Sequence, residues 1–169
     1  MNIKAGTFLI STPLLIQDES FEKAVIYITQ YNQNGTTGFV INKLFPQKLN
    51  DLNEFKNAPP FYLYNGGPVE TDKLYFLHQQ PDSIEGGTQV SNTVYLGGDF
   101  KQAVDGIANG TLSQNDIKLF IGYCGWDYGQ LEAEITEGYW LPTDAKASQA
   151  IFTTEAAISW EEMFAMWAN

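Results

Sequence analysis

The segment from Ile117 to Ile135 constrains the fold more than any other stretch of the chain. Its apolar start, Ile117 to Ile121, predicts a strand, and the glycines and aromatic residues that follow predict a tight turn. Apolar residues after Asp127 then recur at helical spacing, and Asp127 with Gln130 has the spacing of a capping box. The segment therefore predicts a strand, a turn and a helix, with backbone N–H groups of the turn facing a ligand.

The rest of the chain predicts more strands than helices. Ala24 to Tyr31 and Thr37 to Asn42 flank the turn-forming Asn34-Gly35 and predict a β-hairpin. Asp99 predicts the start of one helix, and Ser159 predicts the start of another. Shorter strands are predicted at 7–10, 61–64, 74–78, 139–142 and 149–152, and 44–57 is predicted to be irregular with a short helix after residue 50. This pattern predicts an α/β or α+β fold with helices packed on a mixed sheet, and with no repeat or linker we expect 1–169 to form a single domain.

The charge balance excludes one class of partner. The chain has 20 acidic residues against nine basic ones, a net charge of -11, and all nine basic residues are lysines. Binding of nucleic acid depends on basic surfaces and often on arginine. We therefore expect no direct binding to DNA, and we interpret the acidity as a solvated surface.

No apolar run reaches the roughly 20 residues that span a bilayer, and the first residues do not form a secretory signal, so we expect no membrane association. One cysteine cannot form an internal disulfide, which fits the cytoplasm. One cysteine and one histidine also argue against a zinc site, although a carboxylate-only magnesium site stays open. We expect no metal and no cofactor.

Two residues could carry nucleophilic or acid–base chemistry. Cys124 lies in the predicted turn, where a helix N-terminus would stabilise a thiolate, but the alternative is a buried apolar cysteine. His78 follows an apolar run and is either a structural residue at a strand end or a polar group in a pocket. Glu132 and Glu134 diverge by about 200° on a helix, so we expect Glu134 to face solvent and Glu132 to lie closer to the side of Tyr128. The alternative is that both are surface carboxylates early in a helix, where the helix dipole favours them.

Two glycine clusters could line one cleft. The first is Gly66-Gly67-Pro68, and the second runs from Gly122 to Gly129. Neither matches a nucleotide-binding motif, so each is either a tight turn or one wall of a shared pocket with aromatic side chains. The cleft hypothesis assigns these ligand-binding residues: Asn42, Gly66, Gly67, Pro68, His78, Tyr123, Trp126, Gln130 and Glu132.

Several motifs together resemble one family. They are Gly6 to Pro13, Asp18 with Phe21, Gly35 to Lys43, Gly66 to Val69, Leu77-His78 and the block from Gly122 to Trp140. The most specific is the Gly-Tyr-x-Gly-Trp-x-x-Gly-Gln-Leu-Glu element from Gly122 to Glu132. Nearly the whole chain resembles the AlgH/YqgE family of small bacterial proteins. The resemblance implies a bifurcated, barrel-like mixed sheet flanked by helices, and a label of transcriptional regulator that no DNA-binding module accompanies. Cys124 stands where the family usually has alanine, which argues against a family-wide thiol mechanism.

Two hypotheses about function follow. The first is a cytosolic binding or regulatory protein, without DNA binding of its own, that takes a small molecule or a protein partner in the predicted cleft. The alternative is a small-molecule enzyme such as a hydrolase, with His78 or Glu132 as general base. Contact between His78 and either Cys124 or Glu132 in a pocket would favour the enzyme.

Overall fold

The computed structural model describes residues 2–144, 150–152 and 160–167, with the backbone alone for 166 and 167. Within this part of the chain there are three longer helices and ten strands. The helices are α1 (Phe100–Ala108), α2 (Gln130–Thr136) and α3 (Trp160–Trp167). The strands are β1 (Phe8–Ser11), β2 (Val25–Asn32), β3 (Gly35–Val40), β4 (Leu44–Lys48), β5 (Tyr62–Asn65), β6 (Val69–His78), β7 (Thr88–Gln89), β8 (Tyr95–Leu96), β9 (Ile117–Trp126) and β10 (Trp140–Thr143).

The strands form one mixed, mostly antiparallel sheet, which confirms the α+β class. The main path runs β10-β1-β2-β3-β9-β6-β8-β7, and β5 joins β9 in parallel while also pairing with β4. The expected barrel-like closure is not confirmed, since β10 and β7 stand at opposite ends of the path of paired strands.

The sheet branches at β9. One edge of β9 pairs with β6 along most of its length. On the other edge, Leu119 to Ile121 pairs with β5, whereas Cys124 to Trp126 pairs with β3. Two groups of strands, which we call the wings, therefore diverge from β9: β10-β1-β2-β3 forms one wing, and β4, β5, β6, β7 and β8 form the other.

Three apolar clusters cover the sheet. One lies between the wings and includes Phe8, Tyr27, Phe39 and Phe120. A second is covered by α1, and a third, which includes Trp126 and Trp140, is covered by α2. Because the first cluster takes residues from both wings, it is the shared core of the molecule.

Several sequence-based predictions of elements are confirmed. The β2–β3 hairpin turns between Asn32 and Gly35 as predicted. Asp99 caps α1, since its Oδ1 accepts from the Gln102 N–H at 2.9 Å. The terminal helix is also confirmed from Trp160, and the predicted cap Ser159 lies outside the described residues.

Other predictions are wrong in detail. The region after residue 44 contains β4 and two short 3-10 turns instead of irregular chain with one helix. The predicted strand at 149–152 is not formed at Ala150 and Ile151, which are helical. Most importantly, the glycines and aromatic residues after Ile121 do not form a turn, because β9 continues to Trp126. Paired strands on both edges of β9 supply hydrogen bonds that a short sequence window cannot reveal.

Candidate functional site

A cleft of about 370 Å³ opens on the shared core where the two wings meet. We call it the Tyr75 cleft. Its walls come from β2 and β3 on one side and from β6, β8 and β9 on the other, and its principal residues are Thr29, Thr37, Phe39, Glu70, Tyr75 and Tyr123. This volume lies within the range of about 300–1,000 Å³ that is usual for small-molecule pockets.

Backbone irregularities in three strands surround the Tyr75 cleft. The β2–β3 register shifts around Thr29, and the β6–β9 register shifts between Val69 and Leu74. In β9, Gly122 has φ of +75° immediately before Tyr123. Such irregularities re-aim side chains and are common next to functional sites. Here they turn the side chains of Thr29, Glu70 and Tyr123 toward one cavity.

Glu70 is held in a strained conformation at the mouth of the cleft. It has φ of +49°, which is uncommon for a residue with a side chain. Its Oε2 accepts from the Tyr75 hydroxyl at 2.7 Å, and its Oε1 accepts from Lys73 Nζ at 3.0 Å. The Tyr75 bond and then the Lys73 bond lower the pKa of Glu70, while desolvation and the Glu70 bond raise the pKa of Tyr75. Glu70 is therefore ionised and Tyr75 is a neutral donor at neutral pH.

Aromatic rings form most of the apolar wall. Tyr75 and Tyr123 lie edge to face, with centroids 5.7 Å apart and planes at 81°. Phe39 is tilted against Tyr75 with centroids 5.8 Å apart. The hydroxyls of Thr29 and Thr37, 3.4 Å apart, add polar groups. Such a lining suits a small molecule with an apolar planar body and a few polar atoms.

A larger groove of about 650 Å³ shares Tyr75 with this cleft and includes Leu52, Phe55, Lys73 and Phe100. We place the site in the smaller cleft because the Thr29 and Thr37 hydroxyls, the Glu70 carboxylate and the three aromatic rings converge there. Leu74 and Tyr75 line both spaces.

Comparison with known proteins identifies the family. A family model described as AlgH-like matches residues 8–168. The chain belongs to the AlgH-like family. A UPF0301 protein of Chlorobaculum tepidum is 34% identical over 158 residues, which are 94% of this chain and 83% of that protein. A UPF0301 protein of Bacteroides thetaiotaomicron is 39% identical over 137 residues, which are 80% and 69% of the two chains.

Two solved structures resemble this AlgH-like chain. The solution structure of the AlgH protein from Pseudomonas aeruginosa has a TM-score of 0.75 and 29% identity, covering 99% of this chain and 92% of that one. The crystal structure of protein DIP2367 from Corynebacterium diphtheriae has a TM-score of 0.76 and 20% identity, covering 98% and 88% of the two chains. At that identity the second likeness concerns the fold alone.

The predicted glycine clusters do meet, but their backbones are in direct contact. A Cβ atom on Gly66 would collide with the Gly122 carbonyl, and one on Gly67 would collide with the Tyr123 backbone. The Gly66 N–H donates to the Ile121 carbonyl at 2.8 Å, and the Gly66 carbonyl accepts from the Val40 N–H at 2.9 Å. These glycines fill the fork at which β3 and β5 leave β9, so they leave no space between them. Pro68 is exposed beside them.

Among the other predicted site residues, only Tyr123 lines the Tyr75 cleft. Trp126 is 6% exposed and packs on Trp140 with centroids 5.9 Å apart. Gln130 accepts from the Asp127 N–H at 2.9 Å, which confirms the part of the capping box in which Gln130 reaches back. The N-cap is Gly129 instead of Asp127. Glu132 lies near Tyr31, whose pKa is raised by desolvation and then by the Glu132 charge.

The prediction that Glu134 faces solvent is wrong. Its Oε1 accepts from the indole nitrogens of Trp126 at 3.1 Å and Trp140 at 3.0 Å. Its Oε2 accepts from Gln130 Nε2 at 3.1 Å. Trp140 reaches this carboxylate from the strand that follows α2, so helical periodicity alone could not show the contact.

His78 and Asn42 make structural contacts and do not line the cleft, although His78 bonds to the lining residue Gly97. His78 is 0% exposed, its Nδ1 accepts from the Gln80 N–H at 3.1 Å, and its Nε2 therefore donates to the Gly97 carbonyl at 2.9 Å. Burial lowers the pKa of His78 against the opposing effect of the Gly97 bond. Asn42 ties the start of β2 in place by accepting from the Val25 N–H and donating to the Lys23 carbonyl, each at 2.9 Å.

The reactive-thiol interpretation of Cys124 is wrong. Cys124 is 0% exposed in β9, donates to the Gly66 carbonyl at 3.3 Å, and has its pKa raised to about 12 by burial. A Cys124–His78 pair is also wrong, because His78 pairs with Ile117, seven residues from Cys124 and therefore roughly 20 Å away along the strand. Cys124 is a small apolar core residue.

In the part of the chain that the structure describes, no three side chains of His, Cys, Asp or Glu are grouped to hold a metal ion. No helix there is long and apolar enough to cross a bilayer.

Thr29, Thr37, Glu70 and Tyr75 line the cleft but were not among the predicted site residues. The polar run from Glu70 to Lys73, between the apolar residues Val69 and Leu74, was the one available indication of an irregular strand. Nothing in the sequence indicated that this run would face the β2–β3 hairpin. The two segments come together because β9 pairs with β3 on one edge and with β6 on the other.

Proposed function

We propose that this AlgH-like protein is a non-catalytic binding protein that takes a small planar molecule in the Tyr75 cleft. The observation that carries the proposal is the convergence of three aromatic rings, two threonine hydroxyls and the Glu70 carboxylate on one cavity of about 370 Å³. Aromatic walls stack on planar ligands, and fixed polar groups orient them. In this proposal, residues 1–169 form one cytoplasmic domain. Binding of the ligand in the Tyr75 cleft is the signal through which the protein regulates its target.

A regulatory role in this proposal does not involve direct binding to DNA. A net charge of -11 without any arginine repels a polyanion at long range. Titration of duplex DNA at low salt should show no complex, and a complex that weakens steeply with added salt would contradict this part of the proposal.

The enzyme alternative has no supporting geometry in the described residues. Neither His78 nor Glu132 lines the Tyr75 cleft. Both ring nitrogens of His78 are bonded to backbone groups, so the imidazole has no free nitrogen with which to accept a proton from a substrate.

The proposal is tested by screening planar aromatic compounds with ligand-observed NMR. Compounds that bind should lose at least about tenfold in affinity in Tyr123→Ala, because the variant removes one ring of the wall. Tyr128→Ala is the matched control, since Tyr128 is 72% exposed and outside the cleft. Circular dichroism checks the fold of both variants. A set of binders that are all insensitive to Tyr123→Ala, or a screen without binders, would overturn the proposal.

A further inference from the structure

Glu70 is the one charged residue among the residues that line the Tyr75 cleft. Lys73, its ion-pair partner, borders the neighbouring groove instead. The one charged group on the lining of the cleft is therefore a carboxylate, and the chain around it carries a net charge of -11. An anionic ligand would be repelled both by the Glu70 carboxylate and by the net negative charge of the chain.

The Glu70 carboxylate is fixed but its cationic partner is replaceable. The Tyr75 hydroxyl donates to Oε2 at 2.7 Å, which fixes the direction of the carboxylate. Lys73 is bound only to Oε1, at 3.0 Å, and its side chain is 58% exposed. Exposed ion pairs of this kind contribute little to stability, so a ligand cation can displace Lys73 Nζ at small cost.

Three aromatic rings line the cleft together with Glu70. Phe39, Tyr75 and Tyr123 are inclined to one another by 48° and 81°, so their planes bound the cleft from different directions. Aromatic faces attract cations, and several rings around one ammonium group form the cage that recognises alkylated nitrogen. A carboxylate beside such rings adds a direct charge contact.

We propose that the ligand of the Tyr75 cleft carries a positively charged nitrogen on or next to its planar ring, and that Glu70 selects for that charge. This inference rests on the proposed function, because it assigns the chemistry of the ligand at the same site. Lys73 Nζ occupies the cation position on Glu70 when the ligand is absent.

The experiment compares three probes of similar size and different charge: N-methylquinolinium, quinoline and 2-naphthoate. Their affinities are measured by ligand-observed NMR at constant ionic strength and pH 8. N-methylquinolinium should bind at least about tenfold more tightly than quinoline, and 2-naphthoate should bind most weakly. Tyr123→Ala should weaken the binding of both N-methylquinolinium and quinoline.

Charge variants identify the source of the preference. Glu70→Gln should make the affinities for N-methylquinolinium and quinoline equal. Asp105→Asn is the control, because it removes the same charge from an exposed ion pair on α1, and it should leave the difference in affinity unchanged. Lys73→Met should strengthen N-methylquinolinium binding several-fold, and Lys101→Met on the same α1 pair should not.

The outcomes separate the two proposals. Equal binding of quinoline and N-methylquinolinium, with dependence on Tyr123, would overturn the charge selection and leave the cleft as the binding site. Binding of N-methylquinolinium that ignores Tyr123→Ala would show general attraction to an acidic surface and would overturn this inference. Failure of all three probes to bind at the cleft would count against the proposed function itself.

Discussion

At the scale of single residues, Lys118 places an ammonium group in the shared core. Its side chain is 3% exposed, and Nζ donates to the carbonyls of Ile41 at 2.7 Å and Ile151 at 3.0 Å. The third side of the ammonium faces the Tyr64 ring, with Nζ 3.9 Å from its centroid. Burial lowers the pKa of Lys118 to about 7. The contacts replace lost hydration only in part, because none of them is a carboxylate.

Stability should therefore depend on the protonation of Lys118. Between pH 7 and the ordinary lysine pKa, the unfolded chain keeps this proton and the folded chain loses it, so stability rises with pH. Compared with Lys118→Met, the wild-type free energy of unfolding should increase by about 2 kcal/mol from pH 7 to pH 9. Urea denaturation at a series of pH values measures the difference, and titrations common to both proteins cancel. Parallel pH profiles would show that the buried amine keeps an ordinary pKa.

Glu134 links α2 to two tryptophans through a single carboxylate. Glu134→Gln removes the charge that accepts two indole N–H groups and the Gln130 amide. Since hydrogen bonds to charged groups contribute about 1.5–3 kcal/mol, the variant should lose about 2 kcal/mol of stability in urea. Glu137→Gln, at the exposed end of the same helix, is the control and should change stability by less than about 0.5 kcal/mol. Equal effects of the two variants would refute the role of the carboxylate.

At the scale of elements, the fork in β9 depends on glycine at position 122. Gly122 has φ of +75°, and a Cβ atom there would collide with the Gly67 carbonyl. Gly110 after α1 has a similar φ of +82° but has open space where a Cβ atom would lie. Substitutions at Gly122 and Gly110 can therefore be compared. Both carry the free-energy cost of a side chain at positive φ, but only the one at Gly122 carries the further cost of a collision with neighbouring backbone.

Alanine substitution at these two glycines should give different losses of stability. Gly110→Ala should cost about 1 kcal/mol, which is the usual cost of a side chain in the left-handed region. Gly122→Ala should cost at least about 2 kcal/mol more, because the strand and the Gly66–Gly67 corner must move apart. Thermal or urea unfolding of both variants gives the comparison. A similar cost for both would mean that the fork can open without penalty.

At the scale of the whole molecule, the two wings share one apolar core. Phe8, Ile10 and Val25 from one wing pack in the same cluster as Tyr64 and Leu77 from the other. We therefore expect one cooperative unfolding transition for 1–169, with coincident midpoints by tryptophan fluorescence and far-UV circular dichroism. Of the four tryptophans, Trp126 and Trp140 report on the α2-covered cluster and Trp160 reports on the shared core, whereas circular dichroism reports on all elements. Two separated transitions would contradict the single-domain prediction.

Local sequence patterns were sufficient for elements that close within a few residues. The β2–β3 hairpin follows from the turn-forming Asn34-Gly35, where Gly35 has φ of +123°, and the start of α1 follows from the Asp99 side chain bonding to a backbone N–H three residues on. The reach of Gln130 back to Asp127 is of the same kind. Each of these contacts joins residues that are close in sequence, so a short stretch of sequence is enough to predict it.

The sequence therefore determined the α+β class, the family, the β2–β3 hairpin and the start of α1 at Asp99. The tertiary structure decided that β9 continues through Gly122 and Cys124, that Glu134 faces two indoles, and that Glu70 and Tyr75 meet Thr37 across a cleft. The physical reason is that these last features depend on strand pairing between residues that are distant in sequence. A strand with partners on both edges, and a cleft where two wings diverge, form only when the whole sheet is assembled.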